Sequence, residues 1–312
     1  MGYKLAGYDH LGGVEIDPKV ADVYRENHKP KYLYVEDIRL FNQRQDLPPE
    51  LYDLDLLDGS PPCSTFSMAG SREGAWGKKK VFREGQAKQT LDDLVFVYVD
   101  TIAKLKPKVC LLENVKGIIQ GNAKYYSKQI VARMQAAGYR VQVFLLNAAS
   151  MGVPQKRERA FFIGLRNDNK LTELVLRFDE KAVMFGEIED YDKQHKKILD
   201  SYISCWDWCK KNKEPDFGKY YETVKGKRSH FSHRMIFENA VCDTLVSDNK
   251  LVVERGIRMI SISESKQVGT YPLDYNFKSI EPKYLIGMSV PPVMTAQIGH
   301  QIWLQWLSKI KS

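Results

Sequence analysis

The chain has 312 residues, of which 43% are apolar, and this is enough for a sizeable core and two domains. Its formal net charge of +8 favours a polyanionic partner, while the lack of a long apolar run and of an N-terminal signal segment excludes a membrane span and predicts an intracellular protein. The five cysteines are odd in number and scattered, so they predict neither a disulfide framework nor a metal site.

The first half of the sequence alternates short apolar runs with helical patterns. A strand ending in acids is predicted for GGVEID, and Pro18 opens a helix over PKVADVYRENH. Next come a strand running into a loop over DLDLLDGSPPC, a helix stopped by Pro107 over LDDLVFVYVDTIAKLKP, and a buried strand over KVCLLENVKG. An amphipathic helix follows over SKQIVARMQAAGY, and further strands over RVQVFLLNAASMGVP and RAFFIGLR. This order predicts an α/β fold with a doubly wound, mostly parallel sheet.

Two polar segments follow strands of this predicted sheet. They are SPPC and ENV, and each lies where its strand ends. Ligands of such sheets bind beyond the carboxyl ends of the strands, so both segments are candidates for a functional site. From about Leu171 the sequence becomes charged, aromatic and irregular, and it closes with an amphipathic helix over VMTAQIGHQIWLQWLSKIKS.

The segment SPPCSTFS stiffens the backbone beside a thiol, because each proline fixes its own φ and restricts the residue before it. A nucleophilic cysteine needs such a fixed position, whereas an arbitrary free cysteine is most often a buried structural residue. A thiol protease requires a paired histidine, and no motif places any of the six histidines. A cysteine phosphatase requires an arginine closing the loop after the thiol, and CSTFSMAG contains none.

Four motifs occur in order along the chain, namely SPPCSTFS, LLENVKG, VPQKRERAFFIG and GMSVPP. Together they resemble the cytosine-5 DNA methyltransferase family, which has a Pro-Pro-Cys loop, a Glu-Asn-Val strand end, a Gln-x-Arg-x-Arg strand and a late Gly-Asn-Ser-Val. The resemblance covers about 2–167 and 256–303. It implies a Rossmann-like methyltransferase fold with a second, smaller target-recognition domain. Ser64 and Met288 depart from the family pattern, which has Gln and Asn there.

The resemblance assigns roles at the catalytic site to five residues. Cys63 matches the nucleophile that adds to carbon 6 of cytosine, so that carbon 5 can attack an electrophilic methyl group. Glu113 matches the acid at ring nitrogen 3, and a carboxyl works best there with a pKa raised toward neutrality. Arg159 faces the flipped base, Arg157 supports the catalytic loop or the backbone, and Asn114 fixes the loop backbone.

The resemblance also implies S-adenosylmethionine as the methyl donor, with S-adenosylhomocysteine as the product. Glu15 matches the acid that binds the ribose hydroxyls, and Asp37 matches the contact to the adenine amino group. The other residues expected to line the cofactor site are Ile16, Ile38, Pro61 and Leu94. An acid at a strand end is frequent in any such sheet, so each match alone is modest support.

One element of the family pattern does not occur in the sequence. A strand and a Phe-x-Gly-x-Gly-Gly loop precede the segment that matches GYKLAGYDHLGGVEID in the family, and Gly12 and Gly13 do not replace that loop because they precede the next strand. The alternatives are a shortened chain, a partner chain that carries the strand, and a degenerate protein, of which we favour the first. If residues 1–312 are the whole molecule, cofactor binding and turnover are expected to be badly impaired.

DNA contacts are expected in two regions. The loop after Cys63 has glycines for mobility, lysines for phosphates and Trp76 as a candidate wedge. The second region lies around VKGKRSHFSHR, where basic groups beside aromatic residues suit phosphate and base-edge contacts. For any single residue, a solvated charged surface is an equal alternative. The predicted DNA-binding residues are Lys78, Lys79, Lys80, Arg83, Gln155, Lys227 and Arg228.

The predicted domains are a catalytic domain over 1–169, a target-recognition domain over 170–280, and a C-terminal helix over 281–312 that returns to the catalytic domain. The predicted function is methyl transfer from S-adenosylmethionine to carbon 5 of a flipped cytosine in a specific duplex DNA sequence. Alternatives are a tRNA cytosine-5 methyltransferase, disfavoured because VCDTLV replaces the Cys-Phe-Thr element of that branch, and a catalytically impaired DNA-binding relative. We expect a cytoplasmic, bacterial or phage-encoded monomer, acting alone or beside a cognate restriction endonuclease.

Overall fold

A computed structural model of the chain describes residues 1–62, 79–80, 89–190, 196–227, 233–247 and 250–310. The predicted nucleophile Cys63 lies outside the described residues, as does Trp76. The same holds for three of the predicted DNA-binding residues, Lys78, Arg83 and Arg228.

The described residues form both helices and strands. The helices are α1 (Gly2–Leu5), α2 (Pro18–His28), α3 (Ile38–Gln43), α4 (Leu91–Leu105), α5 (Lys124–Ala136), α6 (Ile203–Asn212), α7 (Phe217–Lys225), α8 (Ile262–Val268), α9 (Pro282–Met288) and α10 (Pro292–Gln305). The strands are β1 (Gly12–Val14), β2 (Tyr32–Tyr34), β3 (Leu56–Gly59), β4 (Lys79–Lys80), β5 (Gln89–Thr90), β6 (Val109–Val115), β7 (Tyr139–Asn147), β8 (Glu158–Arg166), β9 (Arg234–Ile236), β10 (Leu251–Val253) and β11 (Arg258–Met259).

The chain divides into two compact units. One, called here the four-stranded unit, comprises 9–146, 158–177 and 298–312. The other, called the three-stranded unit, comprises 1–8, 147–157 and 178–297. The names refer to the main sheet of each unit, with strand order β3-β6-β8-β7 in the first and β11-β10-β9 in the second.

The four-stranded unit confirms the predicted α/β fold with mostly parallel pairing. Strands β1 and β2 are parallel, as are β3 and β6, whereas β8 is antiparallel to β6. Strand β6 is buried at six of its seven positions and is covered on one face by α4 and α5. Its core residues include Ile102 on α4, Leu112 on β6 and Ile130 on α5, none of which is exposed to solvent.

Local sequence signals explain where the predicted helices begin and end. Helix α2 begins at Pro18, and the Asp17 side chain caps it by accepting a hydrogen bond from Lys19 N at 2.8 Å. It ends at Lys29, whose φ of 46° is left-handed. Helix α4 ends at Leu105, before Lys106 and Pro107, because proline cannot continue a helix.

The three-stranded unit has two clusters of buried apolar residues. One includes Phe185, Leu251 and Ile286, and the other includes Trp206 and Phe217. Among the residues that the structure describes, no helix is long and apolar enough to cross a membrane, and no group of three or more His, Cys, Asp or Glu side chains could hold a metal ion.

Candidate functional site

Glu113 and Arg159 form a buried ion pair at the carboxyl end of β6. Arg159 Nε lies 3.1 Å from Glu113 Oε1, and the two side chains are 14% and 11% exposed. The antiparallel register pairs Glu113 with Phe161 and Val115 with Arg159. Glu113 and Arg159 are therefore diagonal neighbours on one face of the sheet, within reach of long side chains. The pair brings together two of the predicted catalytic residues.

Asn114 links the end of β6 to the proline loop that follows β3. Its side-chain Nδ2 donates to Pro61 O at 3.5 Å, and its side-chain Oδ1 accepts from Val115 N at 2.9 Å. Asn114 is only 2% exposed. Pro61 stands two positions before Cys63 along the chain, so Asn114 contacts the loop backbone as predicted.

Asp58 is a further carboxylate on this face that the sequence interpretation missed. The parallel register places Asp58 opposite Leu111, and Glu113 lies two positions further along β6, so all three share one face. Asp58 reaches solvent, yet protein surrounds it closely enough that burial raises its pKa to about 6, and the negative charge of Glu113 adds to this shift. No local signal in the sequence reveals it, because the role of Asp58 depends on β6 lying beside β3.

At Gly59, the next residue, a side chain would lie on the opposite face of the sheet. Its absence lets the Tyr98 ring approach the β3 backbone closely. A Cβ atom there would lie 2.4 Å from the Tyr98 ring on α4. The Tyr98 hydroxyl donates to Leu111 O at 2.8 Å and lies 3.1 Å from Leu57 O. Tyr98 therefore binds β3 to β6 just before the proline loop, and glycine is required for that contact.

Glu15 and Asp37 follow the ends of the adjacent parallel strands β1 and β2. Glu15 N donates to Tyr34 O at 3.0 Å, which continues the ladder past β1. Glu15 Oε1 accepts from Asp17 N at 2.8 Å, and burial raises the pKa of this carboxyl. Asp37 caps α3 by accepting from Arg39 N at 2.8 Å, and it pairs with the Arg39 guanidinium at 3.2 Å.

These two carboxylates suit the predicted cofactor chemically. A ribose diol and an adenine amino group are hydrogen-bond donors, and a carboxylate oxygen accepts more than one hydrogen bond. Of the other predicted cofactor residues, Ile16 and Pro61 are half-buried, and Ile38 packs against the core of the four-stranded unit. Leu94 on α4 is only 6% exposed.

Arg157 and Gln155 are buried in the three-stranded unit. Arg157 donates from Nη1 to Leu245 O at 2.8 Å and from Nη2 to Gly287 O at 3.0 Å. A Cβ at Gly287 would lie 2.3 Å from Val246 C, so the close approach there requires glycine. Arg157 thus connects backbone segments that are 88 and 130 residues away along the chain.

The structure gives Gln155 an internal role in place of the predicted contact with DNA. The side chain is 1% exposed. Its amide donates to Val268 O at 3.2 Å, and its oxygen accepts from Leu245 N at 3.0 Å. With both ends of the amide engaged in the protein interior, Gln155 has no exposed surface with which to reach DNA.

The other predicted DNA contacts are described only in part. Lys227 is exposed after the end of α7. Lys79 and Lys80 form β4, which pairs with β5, and only their backbone is described.

Arg258 belongs to a buried charge cluster in the three-stranded unit. Its guanidinium lies 2.7 Å from Glu264 Oε1 and 2.9 Å from Glu189 Oε1. Glu264 Oε2 also accepts from Ser261 N at 2.8 Å, while Glu264 N donates to Ser261 Oγ, which is a capping box at the start of α8. The Ser-x-x-Glu spacing of SISE could have revealed Glu264 from the sequence.

The chain is similar in sequence to known DNA methyltransferases. The family model of C-5 cytosine-specific DNA methylases matches residues 1–303. The type II methyltransferase M.AplI of Arthrospira platensis is 32% identical over 317 residues, which cover 97% of this chain and 81% of M.AplI. The type II methyltransferase M.DdeI of Desulfomicrobium norvegicum is 33% identical over 185 residues, 58% of this chain. The match spans less than half of M.DdeI, namely 41% of its length.

A solved structure has a similar fold. It is a DNA modification methyltransferase encoded within a prophage of E. coli, with a TM-score of 0.71 and 19% sequence identity. The similarity covers 99% of this chain and 95% of that protein. The whole described chain therefore adopts a fold found in a DNA modification methyltransferase.

Proposed function

Since this chain belongs to the C-5 cytosine-specific DNA methylase family, we propose that it transfers a methyl group from S-adenosylmethionine to carbon 5 of a cytosine flipped out of a specific duplex DNA sequence. The observation that carries the proposal is the Glu113–Arg159 pair, which lies beside a proline loop held by Asn114. A base must leave the stack to reach such a site, which costs a few kcal/mol.

The proposed chemistry divides among three residues. The Cys63 thiolate adds to carbon 6, and the new S–C6 bond makes carbon 5 nucleophilic. Glu113 hydrogen-bonds ring nitrogen 3, while Arg159 donates to the carbonyl oxygen and holds the Glu113 carboxylate in place. Carbon 5 then gains the methyl group, which leaves S-adenosylhomocysteine. Water or another base takes the proton from carbon 5 as the S–C6 bond breaks, which restores both the pyrimidine and the thiolate.

S-adenosylmethionine supplies an electrophilic methyl group when it is bound. Glu15 would accept hydrogen bonds from the ribose hydroxyls and Asp37 one from the adenine amino group. The apolar parts of the cofactor would lie against Ile16, Ile38, Pro61 and Leu94. Support comes from the positions of Glu15 and Asp37 just past the ends of adjacent parallel strands.

We propose a catalytic domain over 1–169, a target-recognition domain over 170–280, and a C-terminal segment over 281–312 that returns to the catalytic domain. This segment forms the two helices α9 and α10 in place of the single predicted helix, and its residues 298–312 fall in the four-stranded unit. Most of 170–280 falls in the three-stranded unit, which supports a separate recognition role. Both relatives described above are named type II methyltransferases. These names support a bacterial or phage-encoded enzyme with a cognate restriction endonuclease as its companion, and we propose that it is a cytoplasmic monomer.

Covalent trapping tests the proposal. The protein is incubated with S-adenosylmethionine and a library of randomised DNA duplexes that contain 5-fluorocytosine, and adducts are separated under denaturing conditions. We expect an adduct from the wild type and none from Cys63→Ser. Cys209→Ala, a change at a buried cysteine of α6, is the matched control and should still form the adduct.

Three outcomes would contradict the proposal. An adduct that persists in Cys63→Ser would show that Cys63 is not the nucleophile. An adduct with tRNA but not with duplex DNA would indicate the RNA substrate. DNA binding without any adduct would indicate a catalytically impaired DNA-binding protein.

A further inference from the structure

The segment between Glu113 and Glu158 contains no acidic residue. It is 44 residues long and has seven lysines and arginines, whereas acids make up 39 of the 312 residues of the chain. A run of this length would carry about five acids at the average frequency. Three of its cations in the four-stranded unit have protein partners: Lys116 pairs with Glu158 at 2.8 Å, Arg133 stacks over the Phe96 ring at 4.0 Å, and Arg140 donates to Leu171 O.

Two other lysines of this segment lie on the outer face of α5. Lys124 and Lys128 are one helical turn apart and exposed, and neither makes an ion pair with any other residue that the structure describes. Tyr125 lies beside them with 64% of its surface exposed. The opposite face of α5 is buried through Ile130 and Met134. We call Lys124, Tyr125 and Lys128 the α5 basic face.

The positive charges of Lys124 and Lys128 do not stabilise helix α5. Cations in the first turns of a helix oppose its dipole, and two like charges at positions i and i+4 repel each other. The first turn of α5 contains no acidic residue, and its N-cap residue Ala123 makes no side-chain capping bond. A contact outside the helix is therefore the better explanation of the charge.

The α5 basic face lies at the same edge of the sheet as Glu113. The segment before α5 continues from the carboxyl end of β6, and Lys116 within it pairs with Glu158 at the start of β8. The far end of α5 is at the other edge, because Gly138 O accepts from Asn167 N beyond the end of β8. Helix α5 thus crosses the sheet over about 20 Å, with its exposed lysines at the catalytic edge.

We propose that the α5 basic face binds backbone phosphates of the DNA duplex beside the flipped cytosine. Lysine and tyrosine side chains are frequent phosphate contacts, and such contacts position a duplex without reading its sequence. The inference rests on the proposed function, because it takes duplex DNA as the polyanion. It adds a contact surface outside the loop after Cys63 and outside the proposed target-recognition domain.

The salt dependence of DNA binding tests this surface. The variant Lys124→Gln/Lys128→Gln removes two positive charges, and Lys106→Gln/Lys170→Gln removes two exposed charges at the other edge of the sheet as the matched control. The affinity of each protein for a mixed-sequence duplex several helical turns long is measured at a series of salt concentrations. Unfolding temperatures show that each variant folds.

We expect the slope of log affinity against log salt to become less steep by about 1.8 in Lys124→Gln/Lys128→Gln, from about 0.9 for each lost phosphate contact. The ratio of wild-type to variant affinity should then fall about tenfold between about 50 and 200 mM salt. The control should keep the wild-type slope.

An unchanged slope in Lys124→Gln/Lys128→Gln, or an equal change in the control, would overturn the inference. The same would follow if the two lysines changed binding of duplex RNA but not of duplex DNA. Methyl transfer by the wild type is measured beside these assays. If the wild type transfers methyl groups but has the same salt slope as Lys124→Gln/Lys128→Gln, the inference fails and the proposed function stands. If the wild type binds no duplex, both fail.

Discussion

The Glu113 carboxylate and the Arg159 guanidinium are 3.1 Å apart, although 46 residues separate them along the chain. They meet because β6 and β8 are antiparallel neighbours, with Glu113 opposite Phe161 and Arg159 opposite Val115. Each is nearly buried, and each compensates the charge of the other.

The first prediction concerns the stability of the Glu113–Arg159 pair. Arg159→Met leaves a buried carboxylate without its partner and should lower the free energy of unfolding by about 3–5 kcal/mol. The double variant Glu113→Gln/Arg159→Met should recover most of this loss, because no buried charge remains. Urea unfolding measures both changes. Lys116→Met, which breaks the more exposed Lys116–Glu158 pair, is the control and should cost about 1 kcal/mol or less. If the single and the double variant lose the same free energy of unfolding, the charges of Glu113 and Arg159 do not stabilise each other.

The second prediction separates turnover from cofactor binding. Glu113→Gln keeps the shape of the side chain but cannot supply a proton or a carboxylate, so the rate of methyl transfer should fall about 10²- to 10⁴-fold. Calorimetry should find the affinity for S-adenosylmethionine within about twofold of the wild type. The control is Glu173→Gln, an exposed position of the four-stranded unit, which should leave both quantities unchanged. If Glu113→Gln transfers methyl groups within about threefold of the wild-type rate, Glu113 does not take part in the chemistry.

The third prediction is that Glu15→Gln increases the stability of the protein but weakens its binding of S-adenosylmethionine. Burial raises the pKa of this carboxyl, so the folded protein holds its proton to a higher pH than the unfolded chain does. The contribution of Glu15 to stability is therefore greatest below the ordinary glutamate pKa and is lost as pH rises through the raised value. Glu15→Gln should make the ligand-free protein more stable at neutral pH and flatten this part of the pH profile.

The same Glu15→Gln variant should bind S-adenosylmethionine about ten- to a hundredfold more weakly, since charged hydrogen bonds to the ribose are lost. Urea unfolding from pH 4 to pH 8 and calorimetry measure the two effects. The result that contradicts the assignment is a variant that binds the cofactor as tightly as the wild type.

The fourth prediction distinguishes the two carboxylates that face Arg258. Hydrogen bonds hold Glu264 in its charged form: burial alone would raise its pKa, but Arg258 and the Ser261 N–H keep it below its usual range. Its contribution to stability is thus present at neutral pH and lost as pH falls below the ordinary glutamate value. Glu264→Gln should cost about 3 kcal/mol or more at pH 7.

Glu189 is the matched comparison, because its side chain is equally buried but its Oε2 atom has no hydrogen-bond partner among the residues that the structure describes. One guanidinium faces two carboxylates, so Glu189→Gln removes excess negative charge and should change stability by less than about 1 kcal/mol. Thermal and urea unfolding of both variants provide the comparison. Equal losses from Glu189→Gln and Glu264→Gln would mean that Arg258 depends on the two acids alike.

Some of the candidate site could be predicted from the sequence because its signals are local. The proline-rich loop, the ENV strand end and the acid after β1 each lie next to a strand that its apolar residues identify. Asp58 was missed because a carboxylate within DLLDGS has meaning only once β6 lies beside β3. Gln155 was predicted to contact DNA, and the sequence does not show that its amide meets Val268 and Leu245.

The sequence by itself determined both ends of α2 and the C-terminal ends of α4 and α5, since caps, prolines and glycines act within a few residues of where they stand. The start of α5 lies three residues before the predicted one. The sequence also determined the α/β class, through the order of apolar runs. Only the tertiary structure decided which polar groups meet: Glu113 with Arg159, Asn114 with Pro61, and Arg157 with Gly287. Those contacts depend on strand order and register, and these result from burying the apolar faces of elements that are far apart in the chain.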